Sequence, residues 1–187
     1  MKSNKFKILY SGNIGAKQDW EFFIRVLEYF KDKETIEFIV VGAGAKKEWL
    51  VEETRSYTNI SHYMPVEYSE LPDLLCSADL HILFQKNDVI DTVMPSKLLG
   101  MMASAVPSVV TGNVESEVAK VFDKSNGGYF FDSEAFEDVV HSIRRLAEDD
   151  TKAKEMGDNA RKYIVDEFAS TKVLHAFEKK ISEIVGD

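Results

Sequence analysis

Two short segments carry residue types suited to holding phosphate. Ser11-Gly-Asn-Ile-Gly-Ala-Lys17 and Pro95-Ser-Lys-Leu-Leu-Gly-Met-Met-Ala-Ser104 each follow an apolar run and read as the opening of a helix. A helix start offers main-chain N–H groups without intrahelical partners and about half a unit of positive charge. Lys17 and Lys97, one at each start, therefore make two converging sites for a diphosphate. Gly12 and Gly15 permit tight turns and close backbone approach, while Ser96 adds a hydroxyl beside the Lys97 ammonium. Pro95 suits the first turn of a helix, because its missing N–H needs no partner there. Upstream, Asp88 and Asp91 put carboxylates in the same loop, where sugar hydroxyls could be held. The plainer reading is a pair of glycine turns with solvated lysines, and the second lysine favours the anion site. No residue in this pattern identifies itself as catalytic.

Other candidates carry less chemistry. Gly42-Ala-Gly44 follows Phe38-Ile-Val-Val41 and invites a dinucleotide reading, but a third glycine is needed where Lys47 stands. It also lies on the second strand rather than the first, so a tight strand-to-helix turn suffices. His62, His81, His141 and His175 show no metal-ligand spacing, and His81 inside an apolar strand suits a core role. The single cysteine, Cys76, forms no internal disulfide and reads as a buried helical residue, as do Met101 and Met102.

The positioning elements follow from periodicity. Residues 6–11, 36–41, 59–63, 80–84, 107–111 and 128–131 read as strands; residues 17–30, 45–55, 69–77, 95–104 and 114–122 between them read as helices. Strict alternation implies right-handed crossovers and a parallel sheet covered on both faces. After residue 131 the pattern is wholly helical, over 133–148, 151–168 and 170–185, with Glu148-Asp-Asp150 as a turn. The expected fold is α/β: a doubly wound, six-stranded Rossmann-like sheet with carboxyl-terminal helices, forming one domain over 1–187 whose helical part is 132–187. In such sheets ligands sit outside the carboxyl ends of the strands, so the loops at 12–17, 42–44, 85–97 and 112–113 should line one crevice.

Composition limits the partners. The chain has 187 residues, 44% of them hydrophobic, and a net charge of −9, which argues against nucleic acid or anionic lipid as the main ligand. An anion must then be held locally. With no signal peptide or long uncharged apolar span, a soluble cytoplasmic location is expected.

Taken in order, Tyr10-Ser-Gly-Asn-Ile-Gly-Ala-Lys-Gln-Asp19, Phe38-Ile-Val-Val-Gly-Ala-Gly44, Leu71-Pro-Asp-Leu-Leu-Cys-Ser-Ala-Asp-Leu80 and Pro95-Ser-Lys-Leu-Leu-Gly-Met-Met-Ala-Ser-Ala-Val-Pro107 resemble the group 1 glycosyltransferases. The similarity is strongest to their colanic-acid and capsule branch and covers almost the whole chain. It implies the carboxyl-terminal, donor-binding half of a GT-B enzyme, in which two Rossmann-like halves face a cleft. Such enzymes transfer a hexosyl group from a nucleoside diphosphate sugar with retention of configuration, without a bound metal or cofactor.

By the same resemblance Lys17 matches the lysine that binds the donor phosphates, while Asn13 replaces the usual arginine, a lost charge that Lys97 restores. The usual pair of glutamates falls on Thr92 and Gly100, and the glycine that often meets the phosphate is Pro95. Asp91 is then the candidate for part of the sugar contact, with Thr92, Gly42, Gly44 and Gly100 as further positions near the sugar or nucleoside. The implied enzyme is about twice this long, so the expectation is a donor half whose amino-terminal acceptor half is missing and which does not turn over alone. The implied role is surface polysaccharide synthesis on a saccharide or lipid-linked acceptor, with peripheral membrane association of the full enzyme. A stand-alone module that binds nucleotide sugars without catalysis is the alternative. A receiver or flavodoxin-type domain is disfavoured, because Gly-Asn-Ile-Gly rather than an acidic cluster follows the first strand.

Overall fold

A computed structural model describes residues 5–89 and 95–185. Six strands, β1 (Phe6–Asn13), β2 (Ile36–Ala43), β3 (Ile60–Tyr63), β4 (Leu80–Phe84), β5 (Ser108–Gly112) and β6 (Gly128–Asp132), form one sheet in the order β3-β2-β1-β4-β5-β6. Every pairing is parallel. The order reverses between β1 and β4, which fixes where a ligand crevice opens.

Helices α1 (Trp20–Tyr29), α2 (Lys47–Thr54), α3 (Leu71–Cys76), α4 (Ser96–Ala103) and α5 (Glu117–Ser125) join the strands, and α6 (Phe136–Glu148), α7 (Asp150–Phe168) and α8 (Ser170–Val185) follow. Strand alternation divides the core. Ile8 and Tyr10 of β1 join α1 in the larger cluster, whereas Leu9 turns to the other face and packs with Leu75, Ala78 and Val106. On α1 the residues Trp20, Phe22, Phe23, Val26 and Leu27 are buried, each contributing roughly 1.5–3 kcal/mol of apolar burial.

The boundaries depart from the sequence reading in instructive ways. β1 and β2 run two residues further than expected, to Asn13 and Ala43, because the ladder continues through Gly12↔Gly42 and Asn13↔Ala43. A Cβ on Gly42 would lie 2.0 Å from the Gly12 carbonyl oxygen, so the absence of a side chain lets the two strand ends stay paired. α1 begins at Trp20 rather than at 17, since Asp19 caps it by accepting the Phe22 N–H at 3.0 Å. The expected helix at 69–77 opens as a single 3₁₀ turn, Tyr68–Glu70, before α3. Asp149 alone separates α6 from α7 and caps the latter through the Lys152 N–H at 2.9 Å.

The carboxyl-terminal helices belong to the same body. A Cβ on Gly157 of α7 would lie 2.1 Å from the Ala105 carbonyl oxygen, and one on Gly127 would lie 2.6 Å from the Ala160 Cβ. Small residues thus let α7 lie directly on the backbone behind α4 and β6, where Arg161 donates to the Ala103 carbonyl at 3.1 Å. Met101 and Met102 are buried as expected, but Cys76 is exposed. A six-residue helix buries one row of side chains, and in α3 that row contains Leu75, leaving Cys76 beyond it.

His81 lies in β4, buried among apolar neighbours, with Nε2 3.0 Å from the Ser104 hydroxyl oxygen. The Ser104 O–H lies 2.6 Å from the Met101 carbonyl, and the imidazole also meets the Leu75 backbone, so His81 is anchored on two sides. Burial pushes the imidazole down to about 4 from 6.5. Because the folded value is the lower one, neutral His81 stabilises the fold above about pH 6.5, and that contribution is lost as the pH falls toward 4. Urea unfolding is expected to show about 2 kcal/mol less stability at pH 5 than at pH 7 from this group. His81→Leu should remove that part of the slope; an identical slope in both proteins would refute the assignment.

Candidate functional site

The loop after β1 and the loop after β4 meet at the reversal point. Gln18 and Gln85 form an isolated bridge, the Asp19 N–H donates to the Phe84 carbonyl at 2.9 Å, and the Lys86 N–H donates to the Lys17 carbonyl at 3.2 Å. Inside the first loop the Gly15 N–H meets Gln18 Oε1 at 3.2 Å, and Trp20 Nε1 donates to the Gly15 carbonyl at 2.8 Å. These bonds fix the loop's path from within, so side chains at its rim are carried on a rigid base.

A cavity of about 360 Å³ opens there, lined by Asn13, Lys17, Gln18, Leu83, Gln85, Pro95, Ser96 and Lys97. Both lysines singled out by the sequence thus share one cavity, one from each side of the reversal point. Their settings differ. Lys17 is exposed and belongs to the loop, two residues before the cap of α1, whose first turn is already engaged by the Asp19 carboxylate. The expectation of a lysine on an anion-binding start of α1 is corrected accordingly. Lys97 is half-buried in the first turn of α4, and among the described residues no side chain caps that helix. Pro95 stands one position earlier than expected, as the extended N-cap with φ −60° and ψ 128°. The N-terminus of α4 brings Ser96 and Lys97 to the wall of this cavity.

A second cavity of about 240 Å³ lies on the other side of Asn13, lined by Ser11, Gly12, Asn13, Val41, Gly42, Ala43, Pro65, Val66 and Leu71. Its wall is largely apolar, and Asn13 borders both spaces. The sequence reading missed Pro65, Val66 and Leu71, since nothing in their types marks a binding wall until β3 and α3 are placed beside β1. It missed Gln18 for a similar reason, since only the β1 to β4 neighbourhood brings that loop residue to the cavity, whereas Gln85 opens the 85–97 segment expected there. Tyr10, read as a strand residue, touches Lys97 from behind the lining.

The remaining sequence candidates are placed as follows. Gly12 has φ +133° and sits against Lys97, whose Nζ would be 3.2 Å from a Cβ there. Gly15 leaves room for the Asn13 amide. Gly42 lines the apolar cavity and packs on Gly12, while Gly44, with φ +151°, packs on Ile14 and Asn13; this is tight-turn geometry. Gly100 faces Leu75 of α3, outside both cavities. Asn113 does not line the crevice but braces the loop after β4, donating to the Asn87 carbonyl at 3.1 Å. Asp91 and Thr92 lie outside the described residues.

A further cavity, of about 390 Å³, lies at the opposite, amino-terminal end of the strands among Lys5, Lys7, Asp79 and Asp150. It is polar and carries charges of both signs, so it lacks the converging cations of the reversal point. Among the described residues no group of three or more His, Cys, Asp or Glu side chains is placed to hold a metal ion. Nor is any described helix long and apolar enough to cross a membrane.

The family model of the glycosyl transferases group 1 matches residues 1–163, which include every strand and both lysines of the cavity. The chain belongs to the group 1 glycosyl transferases. One curated member, WcaI of Escherichia coli (strain K12), named for colanic acid biosynthesis, is 33% identical over 161 residues, covering 83% of this chain and 39% of that protein. The chain thus spans about two fifths of that relative's length. Solved structures with the same fold include HepE of Anabaena in complex with UDP-glucose, with a TM-score of 0.80 and 13% identity over 96% of this chain and 49% of that one. TarM of S. aureus, in complex with fondaparinux, alpha-GlcNAc-glycerol and UDP, gives 0.79 at 16% identity over 95% of this chain and 35% of that one. The C-terminal domain of LpcC, a group 1 family protein of Francisella tularensis, gives 0.71 at 14% identity over 88% and 87%. The described architecture is therefore that of a GT-B carboxyl-terminal domain.

Proposed function

We propose that this group 1 glycosyl transferase chain is the donor-binding half of a retaining enzyme and holds a nucleoside diphosphate sugar at the reversal point of its sheet. The observation that carries the reading is the approach of Lys17, from the loop after β1, and Lys97, from the first turn of α4, to one cavity, beside a helix start that no side chain among the described residues caps. An ammonium and helix amides on one side and a second ammonium on the other suit a diphosphate. The apolar cavity beyond Asn13 suits the face of a nucleoside base, because a base is flat and sheds water from its ring. Asn13 then stands where base, ribose and diphosphate would join.

In this reading the acceptor is held by a second half outside this chain, and the exposed apolar residues Leu174, Phe177, Ile181 and Ile184 of α8 contribute to the contact between halves. Spaced three, four and three residues apart, they share one helix face. The similarity to WcaI supports surface polysaccharide assembly as the setting, with a saccharide or lipid-linked acceptor. Calorimetric titration with UDP, GDP, ADP and their sugars tests donor binding, UDP and its sugars first because TarM was solved with UDP and HepE with UDP-glucose. Absence of binding by all of them would overturn the reading.

Metal independence follows from the same groups. The two ammonium groups and the α4 amides supply the positive charge that a divalent ion supplies in other transferases. Donor affinity is therefore expected to be the same, within about twofold, with EDTA or with magnesium. Binding abolished by EDTA would shift the donor site to carboxylates in the loop after β4, starting with Asp88.

A further inference from the structure

Tyr10 lies in β1 two residues before the Gly12 turn, 2% exposed, with its ring edge-on to Trp20 at a centroid distance of 4.8 Å. Its hydroxyl oxygen is 2.6 Å from the Asn13 carbonyl oxygen and 3.0 Å from Lys97 Nζ. A carbonyl carries no proton, so the phenol donates to Asn13 and accepts from the ammonium. That ammonium also lies over the Tyr10 ring, 4.8 Å from its centroid, within cation–π range. Gly12 completes the cradle. A Cβ at that position would sit 3.2 Å from Nζ and 3.4 Å from Cε of Lys97, so the missing side chain makes the notch the lysine occupies. Three features of β1 thus receive a residue from α4, 87 positions later in the chain.

We propose that Tyr10 is a positioning residue for donor binding: its hydroxyl holds the Lys97 ammonium across the reversal point, so that an incoming diphosphate meets a cation already in place. The inference rests on the donor-binding reading above. Packing against Trp20 needs only the ring, and the bond to Asn13 needs only the phenol proton. The contact with Lys97 uses the oxygen lone pair, which neither of those roles requires. A lysine ordered in advance loses less side-chain freedom when its ligand arrives, and that saving is realised as affinity. Burial also pushes the Tyr10 phenol well above its usual range, so it remains neutral and keeps donating to Asn13 throughout the working pH range.

The test is a double-mutant cycle. Whichever of UDP, GDP and ADP binds the wild type most tightly is titrated by calorimetry into wild type, Tyr10→Phe, Lys97→Ala and the double variant, with melting temperatures recorded for all four. Tyr10→Phe keeps the ring and is expected to melt within a few degrees of wild type while binding about five- to tenfold more weakly. The double variant should bind no more weakly than Lys97→Ala, because the hydroxyl acts through that lysine. Losses that multiply would assign Tyr10 a role independent of Lys97 and overturn the proposal. So would unchanged binding by Tyr10→Phe, and tighter binding would mean that Tyr10 holds Lys97 away from the ligand. A wild type that binds none of the three nucleotides, by contrast, fails the donor-binding reading itself, a result distinct from failure of the Tyr10 role.

Discussion

Incubated alone with its best-binding nucleotide sugar and a range of saccharide or lipid-linked acceptors, this chain is expected to hold the donor and form no glycosylated product. Transfer requires the acceptor hydroxyl to be held close to the anomeric carbon in a site that excludes water. Fixing two reactants in that way contributes roughly 7–11 kcal/mol toward the barrier at best, equivalent to about 10⁵- to 10⁸-fold in rate. The described residues build one sheet with its helices, and the proposed donor cavity opens at the carboxyl edge of that sheet. In the proposed reading the wall that would carry the acceptor belongs to the other half. Mass spectrometry of the acceptors after long incubation checks the expectation. Efficient product formation by this chain alone would mean that it carries its own acceptor site, and the half-enzyme reading would fall.

Removing the cavity's cations is expected to have the next largest effect. Charge-assisted hydrogen bonds contribute about 1.5–3 kcal/mol each, so Lys97→Ala or Lys17→Ala should weaken nucleotide binding on the order of tenfold to a hundredfold. Lys97 should lie toward the upper end of that range. It is half-buried and held by Tyr10, whereas Lys17 is exposed on its loop and more strongly screened by solvent. The melting temperature of Lys17→Ala should barely change, whereas Lys97→Ala also removes the contact with the buried Tyr10 hydroxyl and is expected to melt a few degrees lower. Calorimetry of both variants decides the matter: affinities equal to wild type in both would remove the lysines from the donor site.

Much of the architecture was legible in the residues because its signals are local. Apolar runs of strand length alternating with segments of helical period give a parallel, doubly wound sheet, and Pro95-Ser-Lys97 marks the start of α4 to within one residue. The strand order is not a local property. No period in the sequence distinguishes β4 from β2 as a neighbour of β1, yet the cavity exists because both flank it. Glycine was ambiguous for the same reason. Gly42 reads as a turn residue, but its freedom is used to keep β2 paired with β1 two residues longer, which becomes visible only when the Gly12 carbonyl is placed opposite it. Asp19 was overlooked as a helix cap because the apolar pattern beginning near residue 20 extended the helix backward through Lys17. Tyr10 read as one more apolar strand residue. Its hydroxyl acquires a partner through Lys97, a contact that follows from strand order rather than from sequence spacing.

The most direct measurement is a nuclear magnetic resonance titration of the isotopically labelled chain with UDP, following backbone amide shifts residue by residue. If the diphosphate sits at the reversal point, the largest changes fall in residues 11–18 and 96–98, with smaller ones at Met64 and Val66, on either side of Pro65, along the apolar cavity. Saturating shifts that cluster instead around Arg25, Tyr29 and Phe136, which line a separate cavity of about 430 Å³ beside α1, would contradict the account. A spectrum unchanged at millimolar UDP, GDP and ADP would contradict it equally.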